Sequence, residues 1–335
     1  GDHRDLHSFP TRRSSDLIGL FGGATSLIHT VSGGPFQATG GDIADGITPG
    51  NGYKYHTFGS PGNFVVTQGG VVDFLVVGGG GAGVGYGGGG AGGCIYGVDQ
   101  DVPSGTHAIV VGDGGDRSAP TVGEGNGSDS ELGTLVTGGG GGCSQELLYP
   151  NMAGQPGGSG GGGEGSNSPG DPGGEGVSPG NLNGGTWYGN DGGNGGPRAS
   201  GGGGGGASTA GVPNPTMTTS NSGGEGERFQ PFAYSLAFPS PYHPNLDPWS
   251  PTGDHYGGGG GGSESEDTNR YAGGVGGGGD SGKSPPSPGD NRGVDGADYL
   301  GGGGGGANTT SGVGGVPGGD GGKGVVIIRY LEVLP

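Results

Sequence analysis

The chain has 335 residues, 102 of them glycine, and only 27% are hydrophobic. That composition is too poor in apolar side chains for a conventional core over this length, and a glycine run has nothing to ionise or react. The formal net charge of −19 excludes a basic stripe for nucleic-acid phosphates and argues against an anionic membrane surface as partner.

Taken in order along the sequence, residues 8–17 read SFPTRRSSDL, which resembles a translated sequencing-adapter read-through. Residues 1–17 are therefore set aside from fold reasoning, and the true start of the protein is expected to be missing. Residues 18–50 mix Gly, Thr and Ser without period and read as a linker or irregular lead-in. Strand patterns follow at 53–58 (YKYHTF), 64–68 (FVVTQ) and 71–77 (VVDFLVV), with Pro/Gly/Asn turns between them. The third is apolar on both faces except at Asp73. Residues 94–98 and 106–111 flank a turn at 103–105, and a weaker strand at 130–137 runs into a glycine block.

From 138 to 324 no helical period appears. Glycine blocks at 138–142, 160–163, 201–206, 257–262, 276–279 and 301–306 alternate with Pro/Ser/Asn/Thr-rich spacers. Residues 325–330 (VVIIRY) read as a buried strand that pairs with the early strands and closes one β core. The fold class is all-β: a small antiparallel β-sandwich-like base plus a glycine-rich body, with long loops and no α-helix. The domain spans 51–335, with strands over about 53–137 and 325–330 and the glycine-block region at 138–324. No apolar run reaches the ~18 residues a membrane span needs, so no membrane insertion is expected.

Ordering glycine costs about 1–2 kcal/mol per residue in backbone entropy. Either the glycine regions are disordered linkers, or polyglycine-II packing through backbone bonds offsets that cost. Such helices have three residues per turn, so a six-glycine block is roughly 19 Å long. With no Cβ to hold neighbours apart, N–H···O bonds between helices replace side-chain packing.

Several patterns imitate sites. Gly78, Gly80 and Gly83 follow a strand as G-x-G-x-x-G, with Asp99 further on, but no helix former follows to receive a pyrophosphate. Residues 277–284 (GGGDSGKS) fit the phosphate-loop pattern, yet Pro285, Pro286 and Pro288 forbid the required helix. Asp113, Asp116, Glu124 and Asp129 read as solvated surface carboxylates. No catalytic residue, cofactor or metal site is assigned, and the protein is expected not to be an enzyme. Cys94 and Cys143 form no framework; one bridge or two buried thiols are both open.

The strongest candidate for recognition is the spacer 207–256. It carries Tyr234, Tyr242, Trp249 and Tyr256 on a proline-stiffened stretch; Trp187 and Tyr188 stand in a shorter spacer. Rigid aromatics on loops suit glycan or protein surfaces. The competing reading is that these rings cover the glycine body or fill a small satellite core.

The ordered set YKYHTF, GNFVVTQGG, VVDFLVVGGGGAG, THAIVVGDGG, GNGSDSELGTLVTGGGGG and GGKGVVIIRY, over residues 53–330, resembles the glycine-rich domain of bacteriophage tail-fibre and adhesin-type proteins. The resemblance implies a β-sandwich-like base and a glycine-rich body, in some relatives a polyglycine-II stack, with loops at the end of the stack that contact a host-cell glycan or protein. It also implies neighbouring virion tail proteins and a virion or extracellular location. The insert at 208–256 departs from that pattern. The alternative is a bacterial cell-surface or matrix structural protein without a specific ligand.

Overall fold

A computed structural model describes residues 35–118, 125–138, 141–142, 153–165, 170–180, 182–197, 200–215, 221–238, 253–264, 268–283, 291–308 and 318–332. Residues 1–17, Glu124, Cys143, Tyr242 and Trp249 lie outside them. The architecture is nearly all β, with antiparallel sheets. Within the stretch read as irregular, residues Gln37–Thr39 form a short strand, β1.

Two five-stranded sheets make the base. One has the order β1-β3-β6-β7-β8 and the other β2-β12-β4-β5-β9. Here β2 is Tyr53–Phe58, β3 Gly62–Gln68, β4 Gly70–Val77, β5 Cys94–Val102 and β6 Gly105–Val110. Further on, β7 is Ser130–Leu132, β8 Val136–Gly138, β9 Thr186–Tyr188 and β12 Val325–Leu331. The last strand lies between β2 and β4, antiparallel to both, with Ile327 opposite Thr57 and Leu75. The two ends of the glycine region are thus joined in one sheet.

The second sheet is a middle layer, which explains why its central strands are apolar on both faces. Phe58, Val72, Phe74, Val76, Ile95, Val326 and Ile328 point to the first sheet and meet Phe64, Val66, Ile109 and Leu132. Tyr55, Leu75, Val77 and Ile327 point the other way, onto Phe229, Phe232, Tyr234, Phe238 and Tyr256. That third layer comes from the aromatic insert. It holds β10 (Glu227–Arg228) paired with β11 (His255–Tyr256), a 3₁₀ turn at Gln230–Phe232 and one α turn, α1 (Tyr234–Ala237).

The glycine blocks form a slab of polyglycine-II helices whose bonding repeats every three residues. In residues 78–83, Gly78 and Gly81 donate to Gly93 and Gly90. Gly79 and Ala82 donate to Ser128 and Gly125, while Gly80 and Gly83 donate to Gly322 and Gly319. Each successive residue therefore addresses a different neighbour. Residues 87–93 exchange bonds with six surrounding segments, at 78–81, 141–142, 159–162, 201–206, 257–260 and 301–304. A Cβ on Gly303 would lie 2.0 Å from the carbonyl oxygen of Gly89, so only glycine fits there.

Candidate functional site

The insert's described rings, Phe229, Phe232, Tyr234, Phe238 and Tyr256, form a cover on the sheet. Tyr234 and Tyr256 are buried; their hydroxyls donate to the carbonyl oxygens of His255 and Phe232, each at 2.6 Å. The two rings meet edge to face at 5.3 Å. Burial pushes the Tyr256 phenol well above its ordinary range. These two residues take the satellite-core role, which corrects their assignment to receptor contact: closing the outer face of the sheet removes more apolar surface from water than leaving them exposed would. Trp187 and Tyr188 sit half-buried on β9, Trp187 against the inner core and Tyr188 edge to face with Phe229 at 5.2 Å. Phe238 and Gly253, which bracket the stretch holding Tyr242 and Trp249, belong to this same cover.

A charged staple pins the cover. Arg329 on β12 donates from Nη2 and Nε to Asp73 Oδ2 at 2.7 and 2.9 Å. Its guanidinium carbon lies 4.1 Å from the centre of the Tyr53 ring and 5.5 Å from that of Phe232. Asp73 in turn accepts the backbone N–H of Asp99, which stands at φ +53° beside an irregularity in the β4–β5 register. Aspartate tolerates that left-handed conformation better than a branched residue would.

Both nucleotide-like patterns are spent on the slab. The amides of Gly78, Gly80 and Gly83 go to neighbouring segments, as do those of Gly279 and Gly282, which donate to Gly303 and Gly306. None of these amides faces an open cradle. Among the described residues no three His, Cys, Asp or Glu side chains converge as a metal site would require. Cys94 is a buried free thiol whose ionisation burial pushes up.

The acidic residues have a second role that sequence reading missed. Among the described residues, helices at the slab's edge have no outer neighbour, and their outward amides need acceptors. Asp320 Oδ1 accepts from the Arg117 amide, Asp295 Oδ1 from Asp320, and Asp298 Oδ1 from Lys323, at 2.8–3.0 Å. Asp191 and Asn194 do the same for Gly176 and Gly173. The signal was the spacing: Asp113/Asp116, Asp191/Asn194, Asp295/Asp298 and Asp320/Lys323 are all three apart, so each pair shares one face of a three-residue helix. Asp113, Asp116, Asp295, Asp298, Asp320 and Lys323 border one open groove of about 840 Å³.

The glycine helices run back and forth between the sheets and the opposite end. At that far end, Asp171 bonds Glu164, Gly196 bonds Ser200, Asn308 bonds Asn291, and Gly319 bonds Gly305. Buried polar residues, most of them short, replace glycine there: Ser200, Asn214, Asn221, Ser263, Glu264 and Asn308.

A β base carrying a triplet-bonded glycine slab is a distinct class of domain. The protein belongs to the glycine-rich domain family, whose model matches residues 57–331. No curated protein matches it.

Proposed function

We propose that this is a non-enzymatic structural protein of the tail-fibre or adhesin type, whose rigid glycine helices carry the loops between them for contact with a host-surface glycan or protein. One observation supports the reading most. The slab fixes many glycine helices through main-chain bonds, and several of them end together on the side away from the sheets. Rigid presentation lowers the ordering cost of binding, and copies on one particle multiply modest affinity. On this reading the protein works on a virion or an extracellular surface, beside other tail proteins.

The test replaces residues 216–220, 284–290 and 309–317 with Gly/Ser stretches of equal length. Adhesion to host cells falls while the β-sheet circular dichroism stays. A parallel variant with 239–252 replaced keeps adhesion, because that stretch springs from the cover on the sheet. Undiminished adhesion in the first variant refutes the display role and favours a matrix protein without a specific ligand.

A further inference from the structure

Four asparagines in this sequence precede glycine: Asn51, Asn126, Asn183 and Asn194. An Asn–Gly pair can react with itself, because the glycine amide nitrogen, unhindered by a Cβ, can reach the asparagine Cγ. A bond forms between Gly N and Asn Cγ, the bond from Cγ to Nδ2 breaks, and ammonia leaves. One water then opens the succinimide to aspartate or isoaspartate. The step needs a glycine amide free to attack and an asparagine side chain free to turn.

The fold denies these conditions at three of the four pairs. The Gly127 amide is donated to Gly141 O at 3.0 Å, and the Gly195 amide to Asp171 O at 2.9 Å. Asn194 Oδ1 is also held by the Gly173 amide. Asn51 is tied at both ends, its Oδ1 by the Tyr53 amide and its Nδ2 to the Tyr55 hydroxyl. The fourth pair differs. Asn183 and Gly184 form the corners of a turn at φ +40° and +75°, closed by the Gly185 amide on Leu182 O at 2.7 Å. Gly184 is exposed, and neither its amide nor the Asn183 side chain has a bonding partner among the described residues.

We infer that Asn183–Gly184 is a site of spontaneous deamidation, and that the fold itself selects it from the four. The product has consequences. Isoaspartate lengthens the backbone inside a tight turn that leads directly into β9. That strand has three paired residues on β5, and its Tyr188 packs on Phe229 of the cover. The turn thus couples chemical age to the sheet edge on which the insert leans.

The experiment incubates the full-length protein at mildly alkaline pH, folded and in urea, and follows all four sites by peptide mass mapping. Isoaspartate is scored by enzymatic methylation. In urea the four pairs convert at comparable rates. In the folded protein Asn183 converts several-fold faster than the other three, and hydrogen exchange rises at 186–188 as it does. Conversion of Asn51, Asn126 or Asn194 as fast as Asn183 in the folded protein overturns the assignment. Faster exchange at 186–188 in N183D, which carries the charge without the extra backbone atom, would overturn the lengthening argument.

Discussion

His56 is fully buried on β2, with Nδ1 donating to Gly40 O at 2.7 Å and Nε2 accepting from the Tyr330 hydroxyl at 3.1 Å. Burial is the main cause of a pKa held below its ordinary 6.5, with Lys54 pushing the same way and the Gly40 bond and Asp45 opposing. A folded-state pKa below the unfolded one means the neutral form stabilises the fold. That contribution is complete above pH 6.5 and is lost as pH falls from there through the depressed value. Unfolding midpoints should therefore drop as pH falls below about 6.5, and His56→Gln should flatten that drop; an unchanged slope would remove His56 as its source. Asp73 makes a second residue-scale case. Asp73→Ala leaves the partly buried Arg329 without its carboxylate, at a cost of about 3 kcal/mol, the low end for a broken buried pair. Adding Arg329→Met should restore most of it in denaturant titration, because the unpaired charge goes too. For glycine, contact geometry decides. Gly303→Ala meets backbone with no room to yield and should destabilise by more than the ~1–3 kcal/mol of ordinary overpacking. At Gly180 a Cβ meets nothing within 4 Å, and Gly180→Ala should stay within about 0.5 kcal/mol of the parent.

Elements differ in how plainly the sequence announces them. The strands at 53–58, 71–77 and 325–330 were legible because β-branched and aromatic runs bounded by turns leave few alternatives. Apolarity on both faces of 71–77 already demanded two coverings. Their source was not legible: the insert's rings follow no period, and such rings suit recognition as well as packing. Phe232 illustrates the outcome, since its ring is fully buried beside Arg329. Phe232→Ala should cost about 3–5 kcal/mol and loosen residues 229–238 in hydrogen exchange before the inner core moves. Survival of that segment's protection would show the cover to be held by other contacts. The edge helices were legible in principle. Unbroken blocks such as 301–306 lie inside the slab, whereas polar residues every third position, as in Gly112-Asp113-Gly114-Gly115-Asp116, lie at its edge. Asp113 and Asp116 are exposed there, as solvated surface carboxylates should be. The carboxylates that cap edge amides are Asp191, Asp295, Asp298 and Asp320, whose three-residue spacing is plain in the sequence but did not announce capping.

At the scale of the whole molecule, low apolar content does not mean a loose polypeptide. The inner glycines spend their amides on one another, and exchange of those amides requires several helices to part together. Amides at 88–92 and 303–306 should therefore exchange with deuterium as slowly as those of β4 and β12, while those of Ser178 and Gly180 exchange quickly. Fast exchange inside the blocks would leave only a small β protein with tethers.

The three-residue repeat also constrains how this architecture can change in length. Removing one glycine from 301–306 turns every later amide of that block by a third of a revolution, so that each addresses the wrong neighbour. Removing three shortens the helix by a turn and restores every address. Viable insertions and deletions within blocks should therefore come three codons at a time, a reading frame written in protein geometry above the one in the gene.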